Sequence, residues 1–198
     1  MPMLEKSSEH MLIRRARKGD GTAIEALIKA HQEALYAFML RMSGRPDVAE
    51  DIVQEAFVRV LKNLDRFDTR FRFSTWLFTI AKRLYVNAMQ KHKPTYDSDV
   101  VGDRQEQTDN SPGGAIARAE SMTNLRNTID AALEKLAPLQ REIVLLFHQQ
   151  NWPITDIAVY LDMPEGTVKS HLHRARRRMR SVIESSKSMQ QHAEEVWL

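Results

Sequence analysis

Apolar residues recur at intervals of three and four along most of the chain, which is the spacing of one face of an α-helix. The longest such stripe lies in the segment TAIEALIKAHQEALYAFMLRMSG. Its apolar positions are Ile24, Leu27, Ile28, Leu35, Phe38, Met39 and Met42. Asp20 or Thr22 is expected to cap this helix and Gly44 to end it. No alternating strand pattern and no internal repeat stands out, so the predicted fold class is all-α.

A second stripe runs through DVAEDIVQEAFVRVLKNLDRF and leaves polar residues on the other side of its first turns. These residues are Asp47, Glu50, Asp51, Gln54 and Glu55. A short loop, DTRFRF, leads to a third helical pattern, STWLFTIAKRLYVNAMQKH, for which Ser74 is the expected N-cap. The patterns together predict one small helical domain over residues 9–93.

From Pro94 the composition changes to a polar, acidic stretch that is interrupted by Pro and Gly. It lacks the apolar residues of a core, so residues 94–118 are predicted to be a flexible linker. Helical spacing returns in residues 119–184, which are predicted to form a second small domain. Residues 185–198 are predicted to be a C-terminal tail. Its last residues, Val196, Trp197 and Leu198, are expected to fray, with docking onto a partner as the alternative.

Two short apolar stripes meet near the end of the second domain. Ile154, Ile157, Ala158 and Leu161 mark the first, and Val168, Leu172, Ala175 and Met179 mark the second. Pro164 and Gly166 in the intervening DMPEG are expected to reverse the chain. This pattern predicts a helix-turn-helix, whose second helix enters the DNA major groove with its N-terminal residues at the base edges.

The exposed side of that second helix is basic throughout. From Thr167 to Arg180 the sequence contains one lysine, five arginines and no acidic residue. A solvated helix face usually mixes both signs, so that residues four apart can pair. Like charges repel one another, so this arrangement favours a polyanionic partner. The pattern indicates DNA binding but leaves a repressor, an activator and a polymerase subunit open.

The overall composition excludes several other classes. The 198 residues carry a formal net charge of only +3, so the local patch, and not the total, indicates nucleic-acid binding. The chain has no cysteine, which excludes disulfides and cysteine-based zinc sites. His171 and His173 project about 200 degrees apart on a helix and cannot share a metal. No phosphate-binding, dinucleotide or nucleophile motif is present. We expect a soluble, cytoplasmic, non-enzymatic protein with no cofactor and no membrane insertion.

Three segments follow one another along the chain in a particular order and spacing: AEDIVQEAF, FRFSTWLFTIAKRL and LEKLAPLQREIVLLFHQQNWPITDIAVYLDMPEGTVKSHLHRARRRMR. Together they resemble bacterial RNA polymerase sigma factors of the extracytoplasmic-function (ECF) group. The resemblance implies a sigma-2-like domain, a sigma-4-like domain and promoter-specific transcription initiation. The implied partners are core RNA polymerase (its beta-prime clamp helices and beta flap), promoter DNA, and an anti-sigma factor or other regulator. The linker is implied either to mimic nascent RNA in the polymerase exit path or to act as a plain tether.

The resemblance also implies roles for individual residues. Core polymerase is expected to bind Asp51, Gln54 and Glu55. The −10 element is expected to be read and melted by Arg70, Phe71, Arg72, Phe73, Ser74, Lys82, Arg83 and Asn87. The types fit, because flipped-out bases need aromatic or apolar walls and phosphates need basic groups.

At the −35 element, base contacts are implied for Lys169, Ser170, His173 and Arg174, and phosphate contacts for Arg176, Arg177 and Arg178. Thr167 is expected to cap this helix and to donate to a phosphate. The family usually has glutamate where this chain has Asp156, so the contact of the longer side chain is not carried over.

One rival interpretation is a self-sufficient helix-turn-helix regulator with an N-terminal dimerisation or sensing domain. It predicts tight binding of the free protein to a palindromic duplex. The sigma interpretation predicts weak binding by the free protein and dependence on core polymerase. A small-molecule enzyme is a third possibility, and it would require a constellation of pocket residues that the sequence does not show.

Overall fold

Eight α-helices are found in the parts of the chain that the computed structural model describes. Those parts are residues 6–91 and 115–196, with side chains for 8–90 and 124–185. The helices are α1 (Lys6–Ala16), α2 (Gly21–Ser43), α3 (Pro46–Lys62), α4 (Phe73–Lys91), α5 (Ala115–Glu134), α6 (Pro138–Val144), α7 (Ile154–Leu161) and α8 (Glu165–Val196). A 3₁₀ turn covers Leu64–Arg66, and a π-helical turn, Leu145–Gln149, follows α6. The described residues contain no strand, which confirms the all-α prediction.

Helix α2 begins and ends where the sequence predicts. The Asp20 carboxylate caps it by accepting hydrogen bonds from the backbone N–H groups of Thr22 and Ala23, at 3.0 and 3.3 Å. The Thr22 hydroxyl and the Arg15 guanidinium bond the same carboxylate, and these contacts lower the pKa of Asp20 to about 2. Gly44 ends the helix in the left-handed conformation, at φ 69°, which glycine adopts without steric cost.

By their packing the described residues form two units. The first contains the described residues of Met1–Lys93 together with Leu145–Val168, and the second contains those of Pro94–Val144 and Lys169–Leu198. In the first unit, α2, α3 and α4 pack around a common core. Its fully buried side chains include Leu27, Leu35, Phe38, Ala56, Val60, Leu77 and Phe78. In the stripe that the sequence predicts for α2, Leu27, Leu35, Phe38 and Met39 are buried as predicted, whereas Ile24, Ile28 and Met42 are only partly buried.

The segment that contains α7 completes the first unit by packing on α2 and α4. Trp152 is 3% exposed, and its ring lies 5.2 Å from the ring of Phe78 in α4. Gln150 donates a hydrogen bond from Nε2 to the Ala34 carbonyl of α2, at 3.0 Å. Tyr160 of α7 meets Trp152 edge-on, with 5.5 Å between the ring centres. Helix α7 therefore lies against the helix that follows the DTRFRF loop.

The second unit is built around an apolar core. Two arginines also bond backbone carbonyls at the C-terminal end of α5. Its buried side chains include Ala132, Leu133, Leu136, Ile143, Val144, Leu172 and Ala175. Arg141 donates to the carbonyls of Leu133 and Glu134, both at 3.0 Å, and Arg178 donates to the Lys135 carbonyl at 2.7 Å. The last carbonyl groups of an α-helix have no N–H partner within the helix, so these arginine side chains supply the hydrogen bonds instead.

The turn between α7 and α8 differs from the sequence prediction. Helix α7 ends at Leu161 and is capped by Asp162, which adopts the left-handed conformation at φ 53°. Aspartate tolerates this conformation because its short polar side chain can bond locally. Helix α8 starts at Glu165, so Gly166 and Thr167 lie in its first turn. Thr167 therefore does not cap the helix; its own N–H bonds the Pro164 carbonyl at 2.9 Å.

Other helix boundaries also differ from the sequence prediction. Helix α4 starts at Phe73, which places the expected cap, Ser74, inside the first turn. Helix α5 starts at Ala115, within the predicted linker, whereas linker residues 94–114 lie outside the described residues. Helix α8 continues to Val196, so most of the predicted tail is a continuation of the helix.

Candidate functional site

The outer face of α3 carries the three residues predicted to bind core polymerase. Asp51, Gln54 and Glu55 are all exposed, while Ile52 and Ala56 face the core. Glu55 forms an ion pair with Arg59 one turn later, with 2.6 Å between Oε1 and Nε. An exposed pair of this kind contributes little to stability, so Glu55 can exchange Arg59 for a basic group of a partner at small energetic cost.

The loop before α4 is folded into a tight turn by Asp68. Its carboxylate accepts hydrogen bonds from the Arg70 Nε, at 2.8 Å, and from the Arg70 backbone N–H, at 2.9 Å. These bonds to Arg70 lower the pKa of Asp68. The backbone N–H of Phe71 bonds the Asp68 carbonyl at 3.1 Å. Phe71 itself is 47% exposed on this turn.

Phe73 and Ser74 are not exposed with Phe71, which corrects the expectation that they contact DNA directly. Phe73 is completely buried, and its ring meets the Phe67 ring edge-on at 5.7 Å. Ser74 is only 5% exposed. Both residues belong to the first turn of α4, where they pack into the first unit, so neither side chain presents a surface to a base.

The exposed side of α4 carries the remaining residues predicted for the −10 element. Arg83 and Asn87 are exposed, and Lys82 is half-buried. Asn87 lies in an open groove between α3 and α4, together with Asp51, Ile52, Glu55, Arg59, Leu84, Ala88 and Gln90. A rise of about 1.5 Å per residue puts Asn87 about 21 Å along the helix from its start. Asn87 therefore lies far along α4 from the loop with which the sequence analysis grouped it.

Two of the predicted DNA-binding cations are in contact with α7. Arg72 Nε lies 2.9 Å from Oδ2 of Asp156, and the two side chains are 41% and 25% exposed. Lys82 Nζ lies 4.9 Å from the centre of the Tyr160 ring, a distance at which a cation is attracted to an aromatic face. Asp156 is thus the partner of a residue in the DTRFRF loop, a role that the sequence did not suggest.

The basic face of α8, as we call the exposed side of Thr167–Arg180, contains the residues predicted for the −35 element. Its exposed side chains are Lys169, Ser170, His173, Arg174, Arg176, Arg177, Arg178 and Arg180. Val168, Leu172 and Ala175 are buried on the opposite side. Thr167 is half-buried at its N-terminal edge. The first turns of α8 therefore present cations and hydroxyl groups to solvent on one continuous surface.

Two arginines of the basic face also bond backbone carbonyls. Arg174 donates from Nε to the Ser170 carbonyl, one turn earlier, at 3.3 Å. Arg178 donates from Nε to the Lys135 carbonyl, which is 43 residues away in sequence. A guanidinium group has five N–H donors, so one such bond leaves others for a phosphate. Arg178 thus has a structural contact in addition to the DNA contact predicted for it.

Comparison with known proteins identifies the family. Residues 27–95 match the family model for Sigma-70 region 2, and residues 126–179 match that for Sigma-70 region 4. The chain is 34% identical over 180 residues to the ECF RNA polymerase sigma factor SigW of Bacillus subtilis, with 86% of this chain and 94% of SigW covered. The chain belongs to the ECF RNA polymerase sigma factors. As a sigma factor, it directs promoter-specific transcription initiation.

Other relatives and solved structures are similar to this sigma factor along most of their length. It is 30% identical over 183 residues to the ECF RNA polymerase sigma-E factor of Escherichia coli, with 88% of this chain and 93% of sigma-E covered. The sigma factor RpoE from Bartonella quintana, solved with the anti-sigma factor NepR, shares the fold with a TM-score of 0.61, 23% identity and coverage of 81% and 96%. CnrH, solved with the cytosolic domain of CnrY, gives a TM-score of 0.65, 21% identity and coverage of 89% and 97%.

Three residues that shape the binding surfaces of this sigma factor were missed by sequence reasoning. Asp68 had a usable signal, because an aspartate two residues before the next cation in a short loop is typical of a turn closed by its side chain. Asp156 and Tyr160 had none, because their partners, Arg72 in the loop before α4 and Lys82 in α4, are far away in sequence. The contacts of Asp156 and Tyr160 with two of the cations predicted to bind DNA thus become visible only in the structure.

Two further findings on the described residues concern metal sites and membrane segments. Within residues 6–91 and 115–196, no group of three or more His, Asp and Glu side chains is placed to hold a metal ion. None of the helices described in the structure is both long and apolar enough to span a membrane.

Proposed function

We propose that this sigma factor reads the −35 element with the basic face of α8, and this surface carries the proposal furthest. All six of its lysine and arginine side chains are exposed, and no acidic residue lies among them. A row of like charges is relieved when a polyanion binds. The first turns of the second helix of a helix-turn-helix are the part that meets base edges.

Within the basic face, position along the helix separates two kinds of contact. Lys169, Ser170, His173 and Arg174 lie in the early turns and are proposed to contact bases, because lysine and arginine donors suit guanine O6 and N7. Arg176, Arg177 and Arg178 follow and are proposed to contact phosphates, which position the helix without reading sequence. Thr167, at the edge of the face, is proposed to donate to a phosphate.

For the −10 element, the proposed reading surface is the −10 loop, residues Asp68–Arg72, together with the exposed side of α4. Half-exposed Phe71 offers a ring on which an unpaired base can stack. Arg72 can follow a phosphate if the phosphate replaces Asp156, and a partly exposed ion pair of this kind resists such exchange by only about 0–1 kcal/mol. Asn87 is proposed to contact a second base farther along α4.

Protein partners are proposed for two surfaces. The exposed polar residues of α3, Asp51, Gln54 and Glu55, can complement a basic surface of core polymerase. Because RpoE was solved with an anti-sigma factor, we extend such a regulator to this chain as well. Promoter melting is proposed to draw on the energy of binding and not on hydrolysis, which makes the protein non-enzymatic.

Run-off transcription tests the proposed function directly. Core RNA polymerase, genomic DNA fragments and the purified chain are combined, and transcripts of defined length are expected only when all three are present. A double Lys169→Ala, Arg174→Ala variant is expected to lose these transcripts while it still binds core enzyme. Failure to initiate on every fragment would refute the proposal. Tight binding of the free chain to a palindromic duplex, without core-dependent transcripts, would support the self-sufficient regulator instead.

A further inference from the structure

Two residues in or next to α1 bond the backbone just before and just after the −10 loop. Glu9 lies in α1, and Arg17 is the residue directly after that helix. They are eight residues apart, which on a helix is roughly 80 degrees of rotation, so both can reach the same neighbouring segment. No sequence motif assigns either residue a role. Their side chains nevertheless leave α1 and bond the backbone on either side of the loop.

Arg17 bonds the backbone that directly precedes the −10 loop. Its Nε donates to the Leu64 carbonyl at 3.1 Å, and its Nη2 donates to the Phe67 carbonyl. Phe67 directly precedes the loop, and its own N–H bonds the Leu64 carbonyl at 3.1 Å. Two bonds from one planar guanidinium fix both the position and the orientation of the backbone that they reach.

Glu9 bonds the backbone that directly follows the loop. Its Oε2 accepts a long hydrogen bond, 3.4 Å, from the backbone N–H of Phe73. Phe73 is the first residue of α4, where a helix leaves N–H groups without an internal partner. His31 of α2 places Nε2 at 3.2 Å from the other carboxylate oxygen of Glu9. Glu9 and His31 are 6% and 7% exposed, so solvent replaces little of this contact if it is lost.

We propose that Glu9 and Arg17 are positioning residues that hold the two ends of the −10 loop and thereby present Phe71 to single-stranded DNA. The proposal rests on the function proposed above for this loop. Anchored ends restrict the loop before DNA arrives, which reduces the conformational entropy that binding must remove. The edge-to-face contact of Phe67 with Phe73 closes the base of the loop between the two anchors.

The test compares Arg17→Ala and Glu9→Ala with Arg14→Ala, which removes an exposed arginine from the same helix. Holoenzyme made with each full-length variant transcribes two promoter libraries, one randomised at −10 and one at −35. Both anchor variants are expected to lower the preference for the best −10 sequence over the average by about tenfold, the effect of roughly one hydrogen bond to a charged group. Their −35 preference is expected to stay unchanged, and Arg14→Ala is expected to match the wild type.

Conservative variants separate positioning from general stability. Glu9→Gln keeps an oxygen that can accept from the Phe73 N–H, so it is expected to restore the −10 preference. Arg17→Lys keeps the charge but cannot bond two carbonyls in a fixed geometry, so it is expected to lose the preference as Arg17→Ala does. An equal loss at −10 and −35, or no recovery in Glu9→Gln, would overturn the proposal.

Hydrogen exchange of the free, full-length protein supplies a readout that does not depend on transcription. Amides of residues 67–73 are expected to exchange about tenfold faster in Arg17→Ala than in Arg14→Ala, because the local opening costs less free energy. Unchanged exchange in Arg17→Ala would overturn the positioning role on its own. Absence of initiation by the wild-type holoenzyme would instead refute the proposed function, so the two failures are distinguishable.

Discussion

Replacement of Arg178 by alanine is expected to destabilise the second unit as well as to weaken DNA binding. The Arg178 side chain donates from Nε to the Lys135 carbonyl at 2.7 Å, just beyond the end of α5. A hydrogen bond of this kind contributes about 1 kcal/mol to stability once the water contacts it replaces are counted. For a unit of this length, a loss of that size lowers the melting temperature by about 4–8 °C.

Two matched variants separate the two roles of Arg178. Arg178→Lys keeps the positive charge but not the directed Nε bond, so it is expected to lose stability and to keep its attraction for phosphate. Arg177→Ala removes the exposed neighbour. It is expected to keep stability within about 0.5 kcal/mol and to make the salt dependence of DNA binding shallower by about 0.9 in log K against log salt. Arg178→Ala is expected to show both losses.

Thermal unfolding of each full-length variant measures the structural role, and fluorescence anisotropy with a −35 duplex at several salt concentrations measures the phosphate role. Equal melting temperatures for Arg178→Ala and Arg177→Ala would show that the bond to Lys135 contributes nothing. Equal salt slopes for the wild type and Arg178→Ala would remove Arg178 from the phosphate contacts. Either result would refute the corresponding half of the reasoning.

Three further predictions concern other residues. Lys169→Ala and Arg174→Ala should each cost about 1–3 kcal/mol at the preferred −35 sequence and relax discrimination there; competition binding over −35 variants measures this, and a uniform loss would contradict base contact. Gln54→Ala with Glu55→Ala should weaken pull-down of core polymerase and leave duplex binding intact, and a normal pull-down would argue against α3. The pKa of Asp20 is lowered from 3.8 to about 2, so the stability it adds is present above pH 3.8 and is lost as the pH falls through 2. Asp20→Asn keeps a capping oxygen and should flatten that dependence in melting curves; unchanged curves would contradict the assignment.

The exposed residues of α3 and α8 could be predicted because apolar neighbours set the rotation of each helix. With Ile52 and Ala56 in the core, Glu55 must point outward. In the same way, burial of Leu172 directs Arg174 to the solvent. The −10 loop offered no such guide. Phe71 and Phe73 are the same residue type two positions apart, yet one is 47% exposed and the other is completely buried. The difference arises because Phe73 begins a helix that packs into the first unit, which no local pattern encodes.

By itself the sequence determined the central part of the helices, though not the start of α5 or the end of α8. It also determined which side of these helices is buried and where positive charge accumulates on α8. These properties follow from spacing within a single helix, so a stretch of ten or twenty residues contains the information. Only the tertiary structure decided which charged groups have partners. Arg17 meets carbonyls 47 and 50 residues away, and Arg178 meets one 43 residues away. Such contacts form only when packing of the apolar side chains brings distant segments together. The free energy that offsets the entropy cost of this loop closure comes from the whole core and not from any local motif.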